Sequence, residues 1–234
     1  MKRVLSVAAL ATGLSLAGFW LLGGSRSAKA DPTPSFSAVA GQCASSVGSD
    51  GYGSATITQD LYVLNETDDL SQPCVLHLAG TAGIVITNSQ IRTRHLVIVD
   101  EGTGPHTIQL EHSSLAAAGT HGLVLRLQNA HDRLLIQDSS ITYPLAIWIL
   151  INGIDPNPGG GEIDVIGSTL QSTDPASSGI DLIVAAAGGV GNFVNDTFVM
   201  PSGANQVALL YAGTCKEQSV TGAVPVCTAN LTTR

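Results

Sequence analysis

The chain has 234 residues, with 10 basic and 18 acidic side chains and a formal charge of −8 at neutral pH. This acidic balance makes nucleic acid a poor partner, and the length suits one domain with a sizeable core. Only 4% of the residues are aromatic while 26 are glycine, which indicates many tight turns and few large core side chains.

The first thirty residues have the pattern of an export signal. Lys2 and Arg3 precede a largely apolar run over residues 4–22, and Ala28-Lys29-Ala30 offers small residues around a cleavage point. We expect a signal peptide over 1–30, a mature chain that begins at Asp31, and a secreted or cell-surface protein. Cleavage would leave six of the ten basic residues against all 18 acidic ones, a formal charge of −12. An uncleaved anchor is the alternative, because the run has about the shortest length that crosses a bilayer.

A short polar pattern that ends on an apolar residue returns five times along the chain. The apolar residue recurs at intervals of 24, 26, 29 and 28 residues. Such a period is typical of repeat proteins, whose units bury their apolar faces only against one another. The five copies are Asn88-Ser89-Gln90-Ile91, His112-Ser113-Ser114-Leu115, Asp138-Ser139-Ser140-Ile141, Gly167-Ser168-Thr169-Leu170 and Asn195-Asp196-Thr197-Phe198.

Two strands are predicted in each repeat, and no segment has helical periodicity. The first strand precedes the polar turn, and its apolar residues alternate with a period of two, which predicts one inward face. Its inward positions are Ile84, Ile86, Ile108, Leu110, Leu134, Ile136, Ile163, Val165, Gly191 and Phe193. The second strand follows the turn and is predicted over 96–99, 123–127, 145–151, 180–184 and 207–211.

Short strands, turn-rich joints and this period together predict an all-β, single-domain parallel β-helix of about five to six coils. In these features the chain resembles the right-handed parallel β-helix proteins of the pectate-lyase-like superfamily, over residues 61–212. Segments 31–60 and 213–234 are then the N-terminal and C-terminal caps. The resemblance rests on the repeat pattern alone, and it implies an enzyme that cuts acidic polysaccharides.

Four cysteines in an exported protein suggest two disulfides. Five stacked coils separate the two ends by about 20 Å or more, whereas a disulfide needs Cα atoms within about 7 Å. We therefore expect one bridge at each end, Cys43 with Cys74 and Cys215 with Cys227. Free thiols or metal ligands are the alternative, but no CxxC or paired histidine spacing accompanies the cysteines. We expect no metal ion and no cofactor.

The polar turns invite a functional interpretation, but a structural one is preferred. The aligned positions Ser89, Ser113, Ser139, Ser168 and Asp196 are predicted to form a ladder that satisfies turn backbone groups from coil to coil. The same interpretation applies to the preceding column, Asn88, His112, Asp138, Gly167 and Asn195.

Catalytic candidates are few. A polysaccharide lyase needs a strong base beside a Ca²⁺ site of several carboxylates, and a glycoside hydrolase needs two carboxylates about 5 to 9.5 Å apart. The outer face of the first strands is predicted to carry only Glu111 and Asp164, two coils apart, with no basic residue beside them. Glu111, His112 and Asp138 remain as the best candidates. We therefore favour a structural or interaction protein without a catalytic centre, with a polysaccharide lyase or glycoside hydrolase as the alternative.

The second strands are apolar on both faces, which is typical of sheets covered on both sides. The cover is predicted to be a folded-back cap, over 36–57 or 220–231, or else a second copy or another protein. Polysaccharide is a further candidate partner, with Trp148 and Tyr143 as the rings placed for stacking. The predicted interface residues are Val97, Val124, Trp148, Leu150, Ile183 and Leu210.

Overall fold

The computed structural model describes residues 34–101, 104–129, 131–151, 160–174, 179–184, 189–200, 208–211 and 214–222. These residues form an all-β parallel solenoid of about five turns, which confirms the predicted fold class. Five coils carry the repeated polar turn, and a related turn at Asn65 and another at Ser219 extend the stack at its two ends. Each of the three parallel sheets consequently has seven strands.

The three sheets, which we name A, B and C, take one strand from each coil in chain order. Sheet A contains β1 (Gly53–Ile57), β4 (Cys74–Leu78), β7 (Leu96–Asp100), β10 (Leu123–Leu127), β13 (Ile147–Ile151), β16 (Ile180–Val184) and β19 (Ala208–Tyr211). Sheet B contains β2 (Leu61–Leu64), β5 (Ile84–Thr87), β8 (Thr107–Glu111), β11 (Arg133–Gln137), β14 (Glu162–Ile166), β17 (Val190–Val194) and β20 (Thr214–Gln218). Sheet C contains β3 (Thr67–Leu70), β6 (Gln90–Thr93), β9 (Ser114–Ala117), β12 (Ser140–Tyr143), β15 (Thr169–Ser172), β18 (Thr197–Val199) and β21 (Thr221–Gly222).

Sheet C is the part of the architecture that the repeat pattern did not predict. The predicted first strands form sheet B and the predicted second strands form sheet A. The residues that close each polar turn form a third strand, so that Ile91, Leu115 and Ile141 are buried in register with one another. The strands of sheets A and B also extend beyond the predicted β-helix, starting at Gly53 and reaching Gln218.

The inward face of sheet B is the one predicted. Ile136 is fully buried and lies in register between Leu110 on one side and Val165 on the other. All ten predicted inward positions are buried. Parallel pairing stacks identical positions from coil to coil, so the side-chain period of two holds along the whole sheet.

One aromatic side chain links three coils inside the solenoid. Tyr143 is fully buried, and its hydroxyl is hydrogen-bonded to the hydroxyl of Thr93. Between these two residues in register lies Ala117, whose small side chain leaves room for the ring. The expectation that Tyr143 is an exposed ring for sugar stacking is therefore wrong, because sheet C turns this position inward.

Helix α1 (Phe36–Ser45) packs against β1, β2 and β3 at the N-terminal end of the solenoid. Ser35 caps it by accepting a hydrogen bond from the Ala38 amide, and Phe36, Val39 and Cys43 form its buried face. The predicted Cys43–Cys74 disulfide is confirmed, with the two Cα atoms 5.6 Å apart.

No helix was predicted at this end, and residues 36–57 form the first layer of the solenoid rather than a cover over sheet A. Within the described ranges, no helix combines the length and the hydropathy that a bilayer crossing needs. The predicted signal peptide, Cys227 and residues 223–231 lie outside the described residues, so the Cys215–Cys227 bridge stays a prediction.

Candidate functional site

The corner between sheets B and C is built from one backbone conformation that is repeated in every coil. The residue that begins each polar turn has a φ angle between 46° and 60°. Glycine adopts this left-handed conformation without steric cost because it has no Cβ atom, and Asn and Asp offset the cost with a short polar side chain. The seven residues are Asn65, Asn88, His112, Asp138, Gly167, Asn195 and Ser219. Backbone geometry therefore accounts for most of the residue types in this column.

The next column is a hydrogen-bonded serine ladder, as predicted. The Ser113 hydroxyl accepts a hydrogen bond from the Ser89 amide at 3.0 Å and donates one to the Glu111 carbonyl at 2.6 Å. Ser139 and Ser168 repeat this arrangement one and two coils further on. Because each hydroxyl satisfies backbone groups of its own and a neighbouring coil, the serines are structural.

Asp196 occupies the ladder position after Ser168. One of its carboxylate oxygens accepts from the Ser168 amide and the other from the Val194 amide, both at 2.8 Å. Burial raises the pKa of Asp196 to about 6, although the two amide hydrogen bonds act in the opposite direction. In the preceding coils an uncharged serine hydroxyl accepts the corresponding hydrogen bond from the backbone amide.

The raised pKa of Asp196 predicts a pH-dependent stability. The native state binds more protons than the unfolded state between about pH 4 and pH 6. The stability that comes from keeping Asp196 protonated is therefore fully present below about pH 4, and it is lost as the pH rises through 6 and the buried carboxyl group ionises. We expect Asp196→Ser to raise the melting temperature by about 2–4 °C near pH 7.5 and by much less near pH 4.5, as measured by scanning calorimetry. Equal shifts at the two pH values would show that the carboxylate charge is not the cause.

A shallow polar groove of about 440 Å³ follows this corner across four coils. His112 and Asp138 lie at its centre, with 3.6 Å between His112 Nε2 and Asp138 Oδ2, and their side chains are about half exposed. A Cβ atom on Gly167 would lie 2.6 Å from Asp138 Oδ1, so glycine at this position leaves room for the carboxylate. The groove lining is Asn88, Ser89, Gln90, His112, Ser113, Ser114, Asp138, Ser139, Ser140 and Gly167.

Glu111, the third catalytic candidate, lies on the outer face of sheet B next to this corner. Its carboxylate accepts a hydrogen bond from the Gln109 side chain at 2.7 Å, and in register it faces Gln137 in the following coil. His112 and Asp138 thus lie together in the groove, whereas Glu111 is not among the residues that line it.

A charge cluster on the outer face of sheet B corrects one expectation. Arg133 donates to Asp164 at 2.8 Å and lies 3.2 Å from Glu162, and Asn192 donates to the other oxygen of Asp164 at 2.6 Å. A basic residue does therefore accompany carboxylates on this face. The hydrogen bond to Asp164 is the main reason why the pKa of Arg133 is raised, so its guanidinium stays charged.

A second polar cluster is enclosed where sheet A leads into sheet B. Asp132 and His106 are both fully buried. The Asp132 carboxylate accepts from the backbone amides of His106 and Asn129, each at 2.7 Å, and burial raises its pKa to about 6. Because neither side chain is exposed to solvent, we assign this cluster a structural role.

The outer face of sheet A carries an apolar column. Val75, Val97, Val124 and Trp148 are in register over four successive coils; the three valines are half-buried and Trp148 is 38% exposed. The next position of this column is Asp181. Leu150 is half-buried in the neighbouring column and follows the exposed Arg126 there.

The register separates the predicted interface residues into these two columns. Ile183 and Leu210 continue the column of Leu150 rather than that of Trp148. The second sheet is thus less uniformly apolar than its sequence suggested, because Arg126 and Asp181 interrupt the two columns on opposite sides of Trp148.

Within the part of the chain that the structure describes, no three His, Cys, Asp or Glu side chains are grouped so that they could hold a metal ion. The chain matches no protein-family model, no curated protein and no solved structure. Its fold is a parallel β-solenoid.

Proposed function

We propose that this protein is an exported, non-catalytic β-helix module that associates with a second copy of itself through the outer face of sheet A. We further infer a distant relationship to the pectate-lyase-like superfamily, based on the repeat pattern and the parallel solenoid. The observation that supports the proposal best is the apolar column that ends at Trp148. The Cys43–Cys74 disulfide agrees with an oxidising, extracytoplasmic location.

The composition of this face suits a protein interface. Three half-buried valines precede one partly exposed tryptophan in the column, and tryptophan and arginine are among the residues that most often dominate binding energy at interfaces. An apolar column across four coils spans about 14 Å, and soluble monomers seldom expose large contiguous apolar patches.

The register positions of one basic and one acidic residue in sheet A favour a second copy as the partner. Arg126 lies one coil before Trp148, and Asp181 occupies the register position one coil after it. A two-fold axis that lies in the plane of this face, midway between positions 126 and 181 and at right angles to the line joining them, would bring Arg126 of each copy towards position 181 of the other. Complementary charges of this kind fix the register of an interface whose affinity comes from apolar contacts.

Charge reversal tests this arrangement by sedimentation velocity. The wild type is expected to be dimeric at a concentration of about 100 µM. At the same concentration, Trp148→Glu and Arg126→Asp are each expected to give monomers. Adding Asp181→Arg to Arg126→Asp should restore the dimer, because the charge pair is rebuilt with opposite polarity.

Val199→Glu is the matched control, since Val199 is also 38% exposed but lies on sheet C, and it should leave the dimer intact. A monomeric wild type, or a double variant that stays monomeric, would contradict the proposal. Circular dichroism of each variant verifies that the fold is retained.

Lysis or hydrolysis of extracellular polysaccharide is the alternative function. It is less well supported, because Arg133, the one arginine that lies beside carboxylates on sheet B among the described residues, is held as a cation by two of them and cannot accept a proton. The His112–Asp138 pair is the remaining candidate acid and base. Assays of reducing ends and of unsaturated products over uronic and neutral polysaccharides would detect either activity.

A further inference from the structure

We propose that the groove between sheets B and C binds a neutral, linear oligosaccharide that lies along the solenoid axis. This site is separate from the outer face of sheet A, so the proposal does not depend on self-association. It also requires no chemical step.

The groove presents hydrogen-bonding groups at regular intervals. Gln90, Ser114 and Ser140 are in register on successive strands of sheet C. Two residues before each of them lies one of the left-handed residues that begin the polar turns. The strand spacing of about 4.8 Å sets the interval between equivalent groups. A ligand that repeats its own hydroxyl groups along a line can therefore contact several coils in the same way.

The side chains of this array are free to bind a ligand. The ladder hydroxyls of Ser89, Ser113 and Ser139 are occupied by backbone groups. In contrast, within the described residues Asn88, Gln90, Ser114 and Ser140 make no side-chain hydrogen bond. Amides and hydroxyls both donate and accept hydrogen bonds, and this dual capacity matches the hydroxyl groups of sugars.

The charge of the groove selects a neutral ligand. Asp138 is the one carboxylate among the lining residues, and no Lys or Arg lines the described groove. An ionised carboxylate accepts several hydrogen bonds, which suits the paired hydroxyls of a sugar ring. The same charge repels the carboxylates of a polyuronate, so this site differs in its ligand from the acidic polysaccharides that the superfamily resemblance implies.

Nuclear magnetic resonance can test this site directly. Neutral hexaoses that differ in linkage and sugar, among them β-1,4-glucan, β-1,4-mannan and β-1,3-glucan, would be titrated into ¹⁵N-labelled mature protein. We expect at least one to bind with a dissociation constant of about 1 mM. The shifts should include the side-chain amide signals of Asn88 and Gln90.

Asp138→Asn preserves the shape of the side chain and suits the left-handed turn, and we expect it to weaken binding about tenfold. Asn195→Asp is the matched control, because Asn195 has the same turn conformation but does not line the groove. It should leave the affinity unchanged.

Three results would overturn the proposal. The first is the absence of shifts with every neutral hexaose, and the second is a set of shifts centred on Trp148 instead of the groove. The third is tighter binding of oligogalacturonate than of any neutral hexaose.

Discussion

Replacing Ile136 with alanine is expected to lower the free energy of unfolding by about 2–5 kcal/mol. Ile136 is fully buried and packs in register between Leu110 and Val165, so the lost methyl groups leave a cavity that the coils on both sides cannot easily close. Equilibrium unfolding in guanidinium chloride, followed by circular dichroism, measures the difference.

The adjacent Gln137 is the control for this prediction. Its side chain is half-buried on the outer face of sheet B, so Gln137→Ala should change the free energy of unfolding by no more than about 0.5 kcal/mol. Similar losses for the two variants would contradict the assignment of Ile136 to the inward face and Gln137 to the outward face of β11.

The sequence predicts these two faces because parallel stacking repeats the same position in every coil. Ile86, Leu110 and Ile136 each precede a polar turn by the same number of residues, and all three are buried. The Cys43–Cys74 bridge is predicted by the same stacking. The two ends of the stack are too far apart for a disulfide, so only cysteines at the same end can pair.

Sheet C was missed because its strands have at most four residues and most of them carry a single large apolar side chain. In Gln90–Thr93 the central Ile91 is the one apolar residue, so the segment has the composition of a turn. Helix α1 was predictable, because Phe36, Val39 and Cys43 have the i, i+3, i+7 spacing of a helix face and Ser35 is a preferred N-cap residue. In sheet C, by contrast, the burial comes from neighbouring coils rather than from local periodicity.

The charge cluster on sheet B was missed because the repeat alignment stopped one residue short of it. Arg133 and Glu162 begin successive strands, and they directly precede the positions that define the inward and outward faces. Each lies the same number of residues before its polar turn, so the alignment extended by one residue predicts the register that the structure has.

Removal of the Cys43–Cys74 disulfide is the second change with a large expected effect. We expect Cys43→Ser with Cys74→Ser to lower the free energy of unfolding by about 2–5 kcal/mol, because the bridge closes a loop with a sequence separation of 31 and holds α1 on the first coil. Denaturant titration of the double variant gives the value.

Hydrogen exchange distinguishes a local effect from a global one. The variant should exchange faster in α1 and β1, which are in contact, while β11 should retain most of its protection. An unchanged denaturation midpoint would show that the helix is held by its buried face alone.

The hydrogen bond between Tyr143 and Thr93 affects how the solenoid unfolds. In most solenoids each repeat interacts only with its nearest neighbours, and one end can fray while the remainder stays folded. The Tyr143 side chain reaches across the coil of Ala117 to the coil of Thr93. The middle coil therefore cannot detach without breaking the contact between the two outer coils. Under a mechanical load applied at the termini, these three coils should therefore yield together, as one block inside a chain of smaller steps.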